Sequence, residues 1–501
     1  MRKMYDRKAS IEPVKSKLKV EIIDEGDVKS IVNTALMILE EIGMFLPHQR
    51  ALELYSDAGA RVNFKNQIVK IPADVVTANI KKAPRHYTLA ARDRSELDLK
   101  IGERSGTYFC TGGCASFTID FKTRKKRPSR KEDVITMAKI VDYLPIISYY
   151  YGVSVSATEY LKTGPLHELE AAFNNTEKHI QTENVMGETE AKFAVEMVSV
   201  IAGGKERLKK RPLLSSLICT TSPLIIVKEA IESILAFSEA GIPVGVMSMP
   251  AMGATAPASQ AGALALGLAE VLAGCVLTQL ANPGTPNFIS IIPGIIDPRS
   301  GEYFYASPFA QVANAAATQL AHFCGIPIQN GASFGGSANK LNDWQVGREN
   351  IYLPLLSVMV GADMCFGMGL IESVNVWNAA RTLFDREIYQ AIKIVSQGIE
   401  VNNNTLSFDV IRKVGPRGHF LSQKETAIDL PRLWPPSVLF EKSKVPDEKY
   451  RDPTEVAWEE IEWIVENHQV PKLDEKVQAE IKKILEAAEK KIAQEKTLKN
   501  S

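Results

Sequence analysis

Six cysteines in 501 residues are too few for the disulfide framework of a small secreted scaffold. Cys110, Cys114, Cys219, Cys275, Cys324 and Cys365 stand mostly in apolar, strand-like or helix-like surroundings, and the expectation is reduced thiols in a cytoplasmic protein. Neither sign of charge is in excess: 59 Lys plus Arg balance 59 Asp plus Glu. A zero formal charge argues against nucleic acid or an anionic membrane as the main partner, since both select a basic surface. No uninterrupted apolar run reaches the ~18–20 residues of a membrane span. The longest candidate, residues 261–280, is broken by Glu270, Gln279 and several glycines. The opening MRKMYDRKASIEPVKSKLKVEI lacks the apolar centre of a signal peptide. Histidine is scarce as well, with seven in the chain. The one close cysteine pair, Cys110 and Cys114, has no histidine at useful spacing, so no metal site is expected.

What remains is an ordinary globular composition, 45% apolar and 24% charged, with enough apolar residues for a large core. Residues 1–106 read as a helical and mixed extension. Val28–Gly43 repeats apolar residues at helical spacing and stops at a glycine. A weak alternation over Val62–Pro72 suggests a short hairpin, and Pro72–Lys82 a second helix with proline at its start.

From residue 107 short β-rich segments alternate with helical ones. The strands are expected at Thr107–Gly112, Ile147–Val155, His179–Val185, Leu213–Thr220, Pro243–Met249, Asn287–Pro293, Pro327–Ser333 and Asp363–Gly369. Helices are expected at Arg130–Tyr143, Glu188–Ala202, Val227–Ala240, Ser259–Leu280, Ser307–Phe323, Asp343–Val360 and Val376–Gln397. Stops such as Gly241-Ile242-Pro243 and Gly325-Ile326-Pro327 end a helix on glycine and start a strand on proline. Eight such pairs, some 30–45 residues apart, are the arithmetic of an α/β fold, a (β/α)8 TIM barrel over 107–400. No Gly-x-Gly-x-x-Gly turn follows the first strand, which disfavours an open dinucleotide-binding sheet. Residues 401–501 read as a loop-rich, proline-rich segment followed by charged helices packed on the barrel. The basic run Lys205–Arg211 reads as a solvated turn.

Four stretches carry a family resemblance: Met249–Pro286 (MPAMGATAPASQAGALALGLAEVLAGCVLTQLANPGTP), Asp297–Pro327 with Arg299-Ser300-Gly301, Lys340–Glu349 (KLNDWQVGRE) and Val414–Leu421 (VGPRGHFL). Together with the length and ILEEIGM near the N-terminus, they resemble the trimethylamine methyltransferase superfamily of corrinoid-dependent barrels over nearly the whole chain. Members acting on trimethylamine carry pyrrolysine near the end of the seventh strand. Here that region, NGASFGGSANK (Asn330–Lys340), holds only standard residues. The chain is thus similar to the non-pyrrolysine members, such as glycine betaine methyltransferases. Ala338 and SQKET after Leu421 stand where the family pattern has an acidic residue and a His-rich stretch.

The resemblance implies methyl transfer from a quaternary amine to the Co(I) corrinoid (cobalamin) of a cognate corrinoid protein, with no cofactor held tightly by this chain. A quaternary ammonium leaves as a neutral tertiary amine, so the barrel needs a cage for the cation, an anchor for any carboxylate and an open mouth. It supplies positioning and desolvation more than acid–base chemistry. Aromatic faces hold such cations, and barrel sites form at the C-terminal strand ends. The cage candidates are Phe334, Trp344, Tyr151 and Phe366, each of which has an ordinary alternative as a packing aromatic. Arg299 and His419 are candidate carboxylate anchors, with loop ordering or a turn hydrogen bond as the plain alternative. Asn330 and Ser333 stand near the strand-seven mouth. Glu183 and Glu372 would add negative potential or pair with a basic residue. A homo-oligomer is compatible with the sequence. A barrel that binds betaines without transferring methyl is the non-enzymatic alternative. Carnitine, proline betaine and γ-butyrobetaine are alternative donors.

Overall fold

The computed structural model describes residues 8–102, 106–154, 160, 163–331, 344–433, 437, 439 and 451–499. Eight parallel strands occur in chain order: β1 (Tyr108–Thr111), β2 (Ile147–Tyr151), β3 (His179–Thr182), β4 (Leu214–Cys219), β5 (Val244–Ser248), β6 (Asn287–Ile291), β7 (Gln329–Gly331) and β8 (Met364–Met368). Each pairs with its sequence neighbour, and β8 pairs with β1. A parallel bridge between Ile289 and Ile328, with Ile289 N–H on Pro327 O at 3.0 Å, joins β6 to β7 and closes the ring. The eight strands of the sequence reading all occur. Residues such as Ile147 to Tyr151 are buried without a break, the pattern of strands covered on both faces.

A helix follows each strand: α1 (Lys131–Tyr143), α2 (Gly164–Phe173), α3 (Glu188–Ala202), α4 (Lys228–Glu239), α5 (Gln260–Ala281), α6 (Pro308–Cys324), α7 (Trp344–Val360) and α8 (Ala379–Ser396). The fold is therefore a (β/α)8 barrel. Helix α2 has no counterpart in the sequence reading. It opens on Gly164-Pro165 and is buried almost all round, His167 and Glu168 included, so it shows no amphipathic stripe. Helix α8 begins at Ala379, capped by the Asn378 side chain, because Val376–Trp377 is a short strand beside Phe117–Ile119. The basic run forms a short helix, Lys205–Lys210.

Helix α5 is buried along most of its length. Its outer side is covered by helices Glu25–Met37, Gln49–Asp57 and Ala73–Ile80 of the N-terminal segment, and Tyr55 donates to Ala273 O at 2.6 Å. A hairpin of Tyr87–Leu89 and Leu99–Ile101 plugs the N-terminal end of the barrel. Tyr87 Oη donates to Asn287 O at 3.3 Å, and Ala90 N–H to Pro212 O at 2.9 Å. At the start of β3 Lys178 is wholly buried. Its ammonium donates to Val141 O, Leu144 O and Ile147 O at 2.6–2.9 Å.

Two C-terminal helices lie on the barrel. Pro453–Asn467 packs on α1 and α8, and Glu475–Lys499 on α3 and α2. Between α8 and these helices, where proline and glycine had suggested loop, the chain makes three short helices: Asn403–Leu406, Phe408–Val414 and Lys424–Leu433. They are interrupted at Ser407 (φ 51°) and Gly415 (φ 64°), and Pro431 sits in the last turn of the third. No described residue from 397 to 433 is buried.

Candidate active site

Strand parity decides which side chains enter the barrel. From β3 these are His179, Gln181 and, one residue past its end, Glu183. They form three polar levels in a barrel otherwise filled by apolar side chains. At the bottom His179 bonds Ala90 O (3.0 Å) and Ser215 Oγ (2.9 Å), and burial lowers its imidazole pKa to about 4. In the middle Gln181 Nε2 donates to Gln329 Oε1 at 3.0 Å, and Gln329 Nε2 to Tyr149 Oη at 2.9 Å. This bridge crosses from β3 to β7.

The top level opens toward solvent at the C-terminal strand ends. There Glu183 is half-buried and holds two donors, the Tyr151 hydroxyl and the Cys219 thiol, the latter at 2.9 Å. Among the described residues no lysine, arginine or histidine bonds this carboxylate. Burial raises its pKa above the ordinary 4.5, against the two hydrogen bonds that favour the anion. Burial likewise pushes the Tyr151 phenol and the Cys219 thiol well up, with the Glu183 charge adding to it, so both stay protonated donors.

Aromatic and sulfur-bearing side chains surround this carboxylate. The Tyr151 and Phe366 rings meet edge to face at 5.5 Å. Tyr305 and Met249 pack against the same cluster, with Tyr305 Oη 3.7 Å from Met249 Sδ. Cys114, exposed after β1, stands within electrostatic reach of Glu183. A Cβ at Gly113 would fall 2.2 Å from the Tyr151 ring, so the glycine makes room for that ring. Thr111 fixes the end of β2 by accepting from Tyr151 N–H (3.2 Å) and donating to Tyr151 O (2.7 Å).

Two further devices shape the mouth. Glu270, fully buried in α5, accepts from Thr220 Oγ1 (2.7 Å), Ser222 Oγ (2.9 Å), Ser248 Oγ (2.7 Å) and Leu224 N–H (2.8 Å). It thereby anchors the turn after β4, next to Cys219. After β8, Glu372, Ser373 and Val374 all adopt positive φ (52°, 50°, 68°), a left-handed turn that L-residues take at a cost. It brings Val374 against the aromatic cluster.

The residues singled out from sequence are distributed unevenly. Tyr151 and Phe366 stand together at the mouth. Asn330 faces outward from β7, donating to Thr318 Oγ1 (2.8 Å) and Ser357 Oγ (3.3 Å) between α6 and α7. Arg299 has an 88% exposed side chain and is held by Asp297 at 2.8 Å. His419 is exposed on the segment after α8. Glu372 pairs with Lys126 at 2.5 Å. Ser333 and Phe334 lie outside the described residues, and so does the side chain of Trp344, the first residue of α7. Cys219 and Met249 were not among the site choices. The signal that finds Cys219 and Glu183 is the inward parity of Ser215, Leu217 and Cys219, and of His179, Gln181 and Glu183.

Among the described residues no three His, Cys, Asp or Glu side chains converge as a metal site. What the described residues bring together is a carboxylate with two neutral donors and no basic partner among them, beside aromatic rings and a thioether sulfur.

Comparison with known proteins identifies the family of the chain. The model of the family described as trimethylamine methyltransferase (MTTB) matches residues 2–493. A trimethylamine methyltransferase of Desulfitobacterium hafniense is 32% identical over 93% of this chain and 93% of its own length. A glycine betaine methyltransferase of the same species is 29% identical over 95% and 99%. The crystal structure of the Methanosarcina barkeri monomethylamine methyltransferase aligns over 94% of this chain and 100% of its own at 14% identity, with a TM-score of 0.48. On the match of the family model from end to end, the chain belongs to the trimethylamine methyltransferase family of methyl-transferring enzymes.

Proposed function

We propose that the protein takes a methyl group from a quaternary amine of the betaine class, glycine betaine or a relative of it, and hands it to the corrinoid of a partner protein. The observation that carries this reading is Glu183, a half-buried carboxylate with two neutral donors and no basic partner among the described residues. An ammonium carbon shell beside it satisfies the charge without a proton, and the Tyr151, Phe366 and Tyr305 rings offer the faces such a cation prefers. The all-standard sequence of Asn330–Lys340 and the glycine betaine methyltransferase among the relatives support a quaternary rather than a tertiary donor.

The chemistry balances simply. One C–N bond breaks with its electron pair going to nitrogen, and the amine leaves neutral. The Co(I) corrinoid supplies the two-electron nucleophile. The chain's own residues bind and orient the cation, exclude water from its buried side and leave the outward methyl accessible. Glu183 and Cys114 both keep solvent contact, which fits an acceptor that arrives from outside on another protein. The cationic half of the donor is accounted for by this site.

The test is methyl transfer to added Co(I) cobalamin under anoxic conditions, followed by the visible spectrum. The donor panel contains glycine betaine, carnitine, proline betaine, γ-butyrobetaine, choline and trimethylamine. Transfer from a betaine with none from trimethylamine is expected. Transfer from trimethylamine alone would sink the quaternary reading. Betaine binding by calorimetry with no transfer, even with the cognate corrinoid protein present, would favour the binding-only barrel.

A further inference from the structure

Residues 399–433 leave the barrel after α8 and carry an unusual surface. Ile399 is 89% exposed, Leu421 78% and Leu433 78%, and Val401, Leu406, Phe408, Ile411, Phe420, Ile428 and Leu430 are all exposed as well. From Asn402 to Ala427 the described hydrogen bonds stay inside the segment. None of its three helices makes an extended contact with another element. Summed over these residues, ordinary side-chain areas give on the order of 1,000 Å² of exposed apolar surface. It matches the roughly 800 Å² per partner of a stable complex. Between residues 399 and 433 stand four acidic and five basic residues, too even a balance to select a partner by charge.

The same chain offers a second apolar surface. On the adjoining helices α6 and α7, joined by Gln311 Nε2 donating to Glu349 O at 2.6 Å, the side chains of Phe309, Val312, Ile351 and Tyr352 are exposed. Phe309 and Val312 are one helical turn apart and share a face.

We infer that residues 399–433 form an arm that covers the α6–α7 face of a second copy of this chain. A partner that docks and departs in each turnover uses a mixed, wet surface, whereas apolar surface of this extent calls for permanent cover, as in obligate homo-oligomers. The zero net charge of the chain removes long-range repulsion between copies. Reciprocal exchange of two arms closes a twofold pair, and exchange in one direction around a ring closes a larger one.

The experiment measures the mass of the full chain by light scattering across micromolar concentrations. Three forms are compared: the natural protein, the arm variant Phe408→Asp with Leu421→Asp, and the face variant Phe309→Asp with Tyr352→Asp. Thermal midpoints report folding of each. The natural protein is expected as a closed oligomer, each variant as a folded monomer, and the two variants mixed as a partial assembly, since one intact arm still meets one intact face. A natural protein that stays monomeric overturns the inference, including the case where adding the corrinoid protein then covers the arm. So does an oligomer that both variants preserve. Should the face variant fail to fold, the arm variant decides alone, because its substitutions lie off the barrel.

Discussion

Tyr151, the last residue of β2, donates a hydrogen bond from its phenolic hydroxyl to Glu183, the first residue past β3. The carboxylate is thereby fixed at the rim without being neutralised. A hydroxyl orients the anion, and the charge stays available to a ligand.

Glu183→Gln should raise KM for any quaternary donor by about 30- to 150-fold, corresponding to about 2–3 kcal/mol for a partly desolvated ion pair. Choline has no group that titrates in the acid range, so with choline as donor an acid limb in KM belongs to the enzyme. Burial lifts the Glu183 carboxyl above 4.5. Capture should therefore improve as pH rises through that elevated pKa, and the glutamine variant should lose the limb. Stability moves the other way. Between 4.5 and the raised value the folded state binds the extra proton, so stability falls as pH rises. Denaturation near pH 7 should find the variant more stable, with the advantage gone below about pH 4. Unaltered KM across pH would remove Glu183 from the site.

Phe366→Leu keeps an apolar filler and deletes the ring face. We expect weaker capture of the cation by about 1–2 kcal/mol, roughly 5- to 30-fold in KM. The thermal midpoint should fall moderately, by the equivalent of about 1–2 kcal/mol, because a buried ring is cut to a smaller side chain. Steady-state kinetics with choline and glycine betaine in parallel check it: both should suffer alike, since the ring meets the part they share.

Arg299→Ala tests the carboxylate end. The guanidinium stands in solvent on Asp297, so kcat/KM should change by less than about twofold for donors with and without a carboxylate, as is usual for exposed pairs. A selective loss on carboxylate-bearing donors would show that this loop turns inward to hold them.

His179 joins the bottom plug to β3 and β4, and burial holds it neutral to about pH 4. The unfolded chain takes up this proton first, near pH 6.5. The stability tied to the neutral ring is thus present above 6.5 and lost as pH falls toward 4, about 3 kcal/mol in all. Urea titrations at pH 7 and 4.5 should show the slope in the natural protein and a shallower one in His179→Gln.

Glu270→Ala strands the donors of Thr220, Ser222, Ser248 and Leu224. A loss of about 3–5 kcal/mol is expected for unpartnering so connected a buried group. Glu270→Gln should cost less, because Leu224 N–H keeps an oxygen and the hydroxyls can turn. Thermal unfolding of the two variants side by side separates the cases.

The barrel was legible because its signal is periodic and redundant: eight apolar strands and glycine–proline stops, each confirming the next. Helix α2 was not, since burial on all sides erases the stripe that periodicity detects. The site was half legible. Tyr151 and Phe366 could be chosen as aromatics at strand ends. Cys219 looks like any apolar thiol until the strand's parity is counted. Arg299 and His419 had the right chemistry, but nothing in a linear sequence says that Asp297 lies under one guanidinium or that the segment after α8 stands off the barrel. The left-handed turn Glu372–Val374 has no residue type that announces it.

Helix α5 is 22 residues long and apolar enough to cross a bilayer, yet 89% of its most apolar 18-residue stretch is buried inside the protein. What separates it from lipid is a coat made by residues 25–80, a stretch that leaves the ribosome well before α5 does. The order of synthesis matters here. When the most membrane-like segment emerges, its cover has already been made, and the chain can wrap it without presenting it to a translocon or a chaperone. A fragment cut to start at the first barrel strand would keep all eight barrel strands and every site residue, lose the hairpin plug, and expose a hydrophobic rod to the cell. Such a fragment should be found in the membrane or aggregate fraction rather than as a working barrel.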